Sequence, residues 1–154
     1  MANQGMSRED KMLTMSGLFM AGASYSLNGN NKSKMINDGI LTAAEIAKLD
    51  FRDIDMVVLS ACETGIGEIN GEGVFGLQRG FKKAGAQTLV MSLWKVDDTV
   101  TQIFMTEFYR QFVTGKGKSK REAFTNAQQY LKTTEKGKYD SPEFWAAFIL
   151  LDAI

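Results

Sequence analysis

Histidine is absent from the 154 residues of the chain, and cysteine and proline occur once each. Without histidine, the chain cannot build a zinc site from Cys and His, and it has no imidazole base. A single cysteine cannot form an internal disulfide, so nothing in the sequence calls for an oxidising compartment. We therefore expect a cytoplasmic protein whose thiol stays reduced.

The chain also has no net charge at pH 7, because 18 Lys and Arg residues balance 18 Asp and Glu residues. This balance removes the basic surface that a nucleic-acid or anionic-membrane binder normally carries. The longest apolar run, residues 145–151, is too short to span a bilayer, and the first residues do not follow a signal-peptide pattern. We expect no nucleic-acid partner, no membrane contact and no cofactor.

Local patterns predict strands that alternate with helices. Continuous apolar runs at residues 56–60, 88–93 and 144–151 are typical of strands buried on both faces. Capping-box spacings predict helix starts near residues 42 and 119, and apolar residues at helical spacing predict a helix over residues 98–113. A further helix-like segment ends at residue 84. This order predicts an α/β fold with a parallel sheet covered on both faces.

Cys62 lies two residues beyond the predicted strand at residues 56–60. In open α/β sheets, ligands bind beyond the carboxyl ends of strands, which makes Cys62 a candidate nucleophile. The glycines that follow, such as Gly65, allow close approach of a substrate backbone. The alternative is a small buried apolar residue, the usual state of a free cysteine. Thiol chemistry also needs an acid–base partner, and this chain has no histidine.

The sequence GEGVFG at residues 71–76 matches G-x-G-x-x-G, and Asp97 follows twenty-one residues after its last glycine. This pattern imitates a dinucleotide-binding fingerprint. However, its first glycine comes eleven residues after Ser60, and Glu68 and Glu72 would repel a pyrophosphate. We favour a glycine-rich loop that leads into a tightly packed helix.

Asp97 and Asp98 follow the predicted strand at residues 88–93. Either residue is a natural N-cap for the next helix, and a carboxylate that does not cap can receive a basic side chain. The two roles can be divided between the pair. Trp94 and Trp145 are predicted to belong to the core, as aromatic residues usually do.

Five motifs, in this order along the chain, resemble the CHAT domain. They are DGILTAAEI (38–46), VVLSACETG (57–65), GEGVFGL (71–77), VMSLW (90–94, with Asp97 and Asp98 following) and FWAAF (144–148). The resemblance runs from about residue 18 to the C-terminus. CHAT domains belong with the caspase-like cysteine peptidases, alongside separases, gingipains and caspases. The resemblance implies a caspase-like, mostly parallel sheet with flanking helices.

The resemblance also implies roles for individual residues. Cys62 is the thiol nucleophile, and Glu63, Thr64 and Gly65 shape the loop around it. Asp98, with Asp97 as the alternative, receives the basic side chain that precedes the scissile bond of a protein or peptide substrate.

One part of the family pattern is absent, because CHAT domains carry a His-Gly motif on a strand that would precede residue 18. We therefore expect residues 1–154 to form a single truncated domain, its C-terminal two-thirds, without its first strands and inactive on its own. We expect it to self-associate or to contact an upstream helical-repeat region, which commonly precedes the domain in the family. The alternative function is a non-catalytic interaction or scaffold module, a pseudo-peptidase.

Overall fold

The computed structural model describes residue 7 and residues 13–21, 23–24, 38–60, 72–116 and 119–152. Its strands are β1 (Gly17–Phe19), β2 (Ile40–Thr42), β3 (Val57–Leu59), β4 (Thr88–Ser92) and β5 (Phe148–Asp152). Its helices are α1 (Ala43–Ile46), α2 (Glu72–Ala84), α3 (Asp98–Val113), α4 (Lys120–Thr133) and α5 (Pro142–Trp145). The described residues fall into two compact units, one with residues up to 57 and 72–87, the other with residues 58–60 and 88–152.

The first unit combines the two-stranded sheet of β1 and β2 with helices α1 and α2. The strands are antiparallel, with Leu18 opposite Leu41. Helix α1 begins at a complete capping box, as predicted. The backbone N–H of Glu45 donates to the Thr42 hydroxyl at 3.2 Å, and the backbone N–H of Thr42 donates to the Glu45 carboxylate at 2.8 Å. These two bonds satisfy donors that the first turn would leave unpaired.

Helices α1 and α2 meet at a glycine. A Cβ added at Gly80 would lie 2.7 Å from the carbonyl oxygen of Ala43 and 3.2 Å from its Cα. Glycine within a helix costs about 1 kcal/mol relative to alanine. The close approach of the two backbones explains why glycine occupies this position.

Gly80→Ala is expected to lower the free energy of unfolding by about 1–3 kcal/mol, because the strain of overpacking exceeds the gain in helix propensity. Urea denaturation measures the difference. Arg79→Ala, at the exposed neighbouring position, is the control and should change stability by less than about 0.5 kcal/mol. A Gly80→Ala chain at least as stable as the wild type would show that the two helices move apart freely.

The second unit is built on a mixed three-stranded sheet in the order β3-β4-β5. All five residues of β4 are buried, as predicted for a central strand. Strands β4 and β5 are antiparallel, with Thr88 opposite Asp152 and Ser92 opposite Phe148. The α/β class is confirmed, but the expectation of a parallel sheet is wrong for β5.

The two helices between β4 and β5 explain this orientation. After a single crossover helix, the chain is back at the edge of the sheet where the preceding strand began, so the next strand runs parallel to it. After two antiparallel helices, the chain is at the edge where the preceding strand ended, so the next strand runs antiparallel. Near the start of α4, Lys120 donates to the hydroxyl of Thr88, and Arg121 is paired with Asp152. The start of α4 therefore lies at the edge where β4 begins and β5 ends.

The last strand is also shorter than predicted. The predicted strand began at residue 144, but residues 142–145 form α5 and β5 begins at Phe148. Pro142 occupies the first turn of α5, where its fixed φ favours a helix and its missing N–H costs nothing. An apolar run by itself does not distinguish a buried helix from a buried strand.

An aromatic cluster forms the core of the second unit. Phe104 is fully buried. Its ring stacks on Phe148, with the ring centroids 4.1 Å apart, and meets the ring of Phe124 edge-on at 5.2 Å. These contacts join α3 to β5 and α4, so the cluster holds the helix pair against the sheet.

Candidate functional site

The predicted nucleophile follows β3 in the sequence. Cys62, Glu63 and Gly65 lie outside the described residues, so the roles assigned to them remain predictions. Strand β3 ends at Leu59, and the next residue, Ser60, is exposed.

The carboxyl ends of β3 and β4 reach the same edge of the sheet. The two strands are neighbours. Because the sheet is mixed and β4 is antiparallel to β5, β3 and β4 run parallel. In parallel sheets this edge is where ligands bind. The edge carries Ser60 and the segment that leads from β4 to Asp97 and Asp98.

Asp97 is the N-cap of α3. Its carboxylate accepts a hydrogen bond from the backbone N–H of Thr99 at 2.8 Å. Hydrogen bonds from the side chain and the backbone of Thr99 lower the pKa of Asp97, and the positive charge of Lys138 acts in the same direction. Capping was the structural role predicted for one member of the acidic pair.

Asp97→Ala is expected to lower the melting temperature at pH 7 by a few degrees, because the first turn of α3 loses its cap. Since the native pKa lies below the unfolded value of about 3.8, this contribution is present above that pH and is lost as the pH falls through the native pKa. Thermal unfolding of both chains from pH 7 to pH 2 measures the difference. A difference that stays constant down to pH 2 would exclude the carboxylate as its source.

Asp98 occupies the first turn of α3 and is exposed. Among the described residues, its carboxylate has no hydrogen-bond or ion-pair partner. Asp97 already satisfies a backbone donor of this turn, so a cap does not require Asp98. In this acidic pair, the carboxylate of Asp97 therefore caps α3, and the carboxylate of Asp98 is exposed to solvent.

Trp94 corrects the expectation that both tryptophans are core residues. It follows β4 by two residues and is 42 % exposed. Its indole N–H donates to the carbonyl oxygen of Glu143 at 2.9 Å. Sequence reasoning missed this residue, although its position beyond the end of a buried strand was a signal for the edge of the sheet.

The connection between α4 and β5 borders this edge. Its Tyr139 is buried and packs edge-on against Phe144, with the ring centroids 5.4 Å apart. The connection also contains a turn in which Glu135, Lys136 and Gly137 all have positive φ angles, of 46°, 61° and 82°. Non-glycine residues adopt this conformation at a cost of about 1–2 kcal/mol each.

Lys136→Gly is expected to stabilise the protein by about 0.5–1 kcal/mol, because glycine adopts a positive φ without steric cost. Urea denaturation tests this, with Gly137→Ala as the opposite change, which should destabilise. If Lys136→Gly lowers stability, the Lys136 side chain makes a contact that outweighs the backbone strain.

The structure does not support the dinucleotide fingerprint. Helix α2 begins at Glu72, so two of the three motif glycines, Gly73 and Gly76, lie within the helix. A phosphate loop needs those glycines ahead of the helix, where backbone N–H groups are free to face the pyrophosphate.

No group of three or more Cys, Asp or Glu residues within the described part of the chain is arranged to hold a metal ion. None of its helices combines the length and the apolar character needed to cross a bilayer.

Comparison with known proteins gives one family and two relatives. A family model described as the CHAT domain matches residues 10–153. Tetratricopeptide repeat protein 28 is 31% identical over 114 residues in Mus musculus and 30% identical over 113 residues in Homo sapiens. Each alignment covers 73% of this chain but 4% of the relative, so the chain spans a small part of the relatives' length. No solved structure matches the chain significantly.

Proposed function

Because the chain belongs to the CHAT domain family, we propose that it carries the thiol and the acidic subsite of a caspase-like cysteine endopeptidase. Cys62 is the nucleophile. Asp98 receives the basic side chain that precedes the scissile bond of a protein substrate. Asp97 supports the subsite by capping α3.

The exposure of Asp98 beside its capping neighbour is the observation that carries this proposal. A carboxylate that has no partner among the described residues and stands at the carboxyl edge of β4 is free to bind a cation. Strand β3 is parallel to β4 and ends at the same edge. Cys62 follows the end of β3 by three residues, which supports pairing the thiol with this acidic subsite.

In the proposed reaction, the Cys62 thiolate attacks the carbonyl carbon of the substrate amide. Backbone N–H groups around Glu63 and Gly65 stabilise the oxyanion that forms. The C–N bond then breaks, and the amine leaves with a proton. Water hydrolyses the resulting thioester, which yields a carboxylic acid and restores the thiol.

Deprotonation of the thiol and protonation of the leaving amine both need an acid–base group. The 154 residues contain no histidine, and we place this group outside them. The relatives are named for tetratricopeptide repeats, which are helix pairs that stack into concave binding surfaces. A helical-repeat region of that kind is the partner we propose; a second copy of the chain, the alternative contact, contains no histidine either and cannot supply this group. A site that depends on a free thiol also needs a reducing compartment, which favours the cytoplasm.

Alkylation of the folded protein tests whether Cys62 is open to reagents. It is the single cysteine of the chain, so one iodoacetamide adduct in the intact mass reports this residue, and Cys62→Ala provides the blank. We expect the native thiol to react within about tenfold of its rate in urea, whereas a thiol enclosed in the core reacts only after local or global opening. Protection that is released only by urea would contradict the proposal.

A second candidate function is a non-catalytic interaction module. It is favoured by the absence of histidine from the 154 residues and by the repeat-protein name of the relatives. An interaction module retains its partner and its biological effect when Cys62 is replaced by serine. The endopeptidase proposal predicts that Cys62→Ser abolishes the effect while partner binding continues.

A further inference from the structure

A groove of about 580 Å³ lies between helices α3 and α4 of the second unit. Five of its lining residues come from α3 and one comes from α4: Gln102, Ile103, Thr106, Glu107, Arg110 and Tyr130. Four of the six are exposed, so the groove is open to solvent and encloses a small molecule poorly. From Gln102 to Arg110 it follows α3 for about 12 Å.

Glu107 is the one charged side chain that is buried among the described residues, with 6 % of its surface exposed. Its carboxylate accepts hydrogen bonds from Nε of Arg110 at 2.7 Å, from Nη2 of Arg110 at 2.5 Å and from the Gln111 amide at 2.7 Å. The bonds from Arg110 lower the pKa of Glu107, so the carboxylate is ionised at neutral pH. Because burial of a charge costs desolvation energy that its partner repays only in part, stability alone does not explain a buried carboxylate.

The buried carboxylate fixes the guanidinium group of Arg110. A guanidinium has five N–H donors, and Glu107 uses two of them. The other three, on Nη1 and Nη2, have no acceptor among the described residues. They form a second fork that matches the two oxygens of another carboxylate. Since Glu107 already holds the group in place, little conformational entropy is lost when that carboxylate binds.

The accessible charge at the groove is positive, and an aromatic ring lies beside it. The side chain of Arg110 is 45 % exposed, and Lys116 is exposed and close enough to act electrostatically on Glu107. Tyr130 is exposed and interacts electrostatically with Arg110. Its phenol has no hydrogen-bond partner within the part of the chain that the structure describes. Arginine and tyrosine are among the residues that contribute most binding energy at protein interfaces.

We infer that this groove is a docking surface for an acidic helix of a partner protein. A carboxylate of that helix pairs with the free fork of Arg110, and an apolar side chain one turn away packs on Ile103 and the ring of Tyr130. The α3 residues that line the groove recur at the spacing by which one helix packs into the groove of another. The proposed peptidase reaction does not use this surface, so a failure of either proposal leaves the other unaffected.

Three helical peptides that differ at one position test this inference on the full 154-residue chain. Each has about 18 residues, enough to form a helix in water, and an alanine-based sequence with leucines on one face. One turn from a central leucine, it carries Glu, Gln or Lys. Fluorescence anisotropy of the labelled peptides measures Kd. We expect the Glu peptide to bind at least about tenfold more tightly than the Gln peptide, and the Lys peptide to bind most weakly.

Variants of the chain separate the contact from the general charge. Arg110→Lys keeps the charge but loses the fork, and should remove most of the preference for the Glu peptide over the Gln peptide. Lys116→Gln is the matched control, because it removes an equal charge from a residue outside the lining. It should leave most of the preference in place at about 0.15 M salt, where exposed charges are largely screened. A preference that survives Arg110→Lys, or equal binding of the Glu and Gln peptides to the wild type, overturns the inference.

The apolar part of the contact has its own pair of variants. Tyr130→Leu should weaken binding of the Glu peptide by about threefold or more. Tyr109→Leu removes an aromatic side chain of similar exposure, 42 % against 45 %, from a position that does not line the groove, and should leave Kd unchanged. Equal losses in the two variants would overturn the placement of the helix in this groove.

A measurement on the wild-type chain avoids any effect of the variants on folding. The Nε–H resonance of Arg110 can be identified by its loss in Arg110→Lys. The Glu peptide is expected to shift this resonance, and the Gln peptide to leave it in place. Sodium succinate at the same carboxylate concentration distinguishes a partner helix from a small carboxylate ligand. An equal shift with succinate overturns the helix as the occupant, and no shift with the Glu peptide overturns the docking surface.

Discussion

The purified 154-residue chain is expected to cleave arginyl and lysyl peptides no faster than its Cys62→Ala variant. An unassisted thiol is only a few per cent thiolate at pH 7, and the leaving amine needs a proton that no histidine of this chain can supply. In a serine peptidase, loss of the catalytic histidine alone costs about 10⁶-fold in kcat. Fluorogenic peptides assayed at micromolar protein concentration measure the difference between the two chains.

Cys62→Ala is the matched control, because it removes the sulfur and leaves every other group in place. Cleavage above the level of this control would mean that a residue within the 154 acts as the base. That result would contradict our assignment of the acid–base group to a source outside them.

Phe104→Ala is expected to lower the free energy of unfolding by about 3–5 kcal/mol, a large share of the 5–15 kcal/mol typical of a domain. Phe104 is 0 % exposed and stacks on Phe148, so its truncation removes buried surface and leaves a cavity between α3 and β5. Urea denaturation, followed by circular dichroism, measures the loss.

Val113→Ala is the control for this prediction, since Val113 lies on the same helix and is 78 % exposed. Its effect should stay within about 0.5 kcal/mol. A loss below about 1 kcal/mol for Phe104→Ala would show that the aromatic cluster does not hold the second unit together.

The bounds of α3 were predictable because local chemistry fixes both ends. Apolar residues at helical spacing extend from Val100 to Phe112, an aspartate caps the start, and Gly115 follows the end with a positive φ of 67°. The predicted range of 98–113 is confirmed. The start of α1 was predictable for the same reason, since both residues of its capping box, Thr42 and Glu45, lie within four consecutive positions of the sequence.

The direction and the start of β5 were not predictable from local sequence. An apolar segment that follows two helices fits a strand of either direction, and the choice depends on how α3 and α4 pack against each other. The helix at Pro142–Trp145 depends likewise on contacts beyond the segment, such as the bond from Gln128 to the carbonyl oxygen of Trp145. Tertiary contacts therefore determine the direction of β5, its first residue and the helix that precedes it.

The candidate site was predictable in part. The sequence indicated that one aspartate caps α3 and that the other is free, and the structure gives the cap to Asp97. The exposure of Trp94 was not predictable, because it depends on a hydrogen bond to Glu143, forty-nine residues away. A strand-end tryptophan has the same apolar signature as a core residue until its partner is known.

The relative rate at which an arginyl and a neutral chloromethyl ketone of equal length alkylate Cys62 tests the central claim most directly. A charge-assisted contact of about 1.5–3 kcal/mol predicts a preference of about ten- to a hundredfold for the arginyl label. Asp98→Asn should reduce this preference to near one. Asp97→Asn, which keeps a good N-cap, should leave it in place. An Asp98→Asn chain with the wild-type preference would contradict the assignment of the acidic subsite to Asp98.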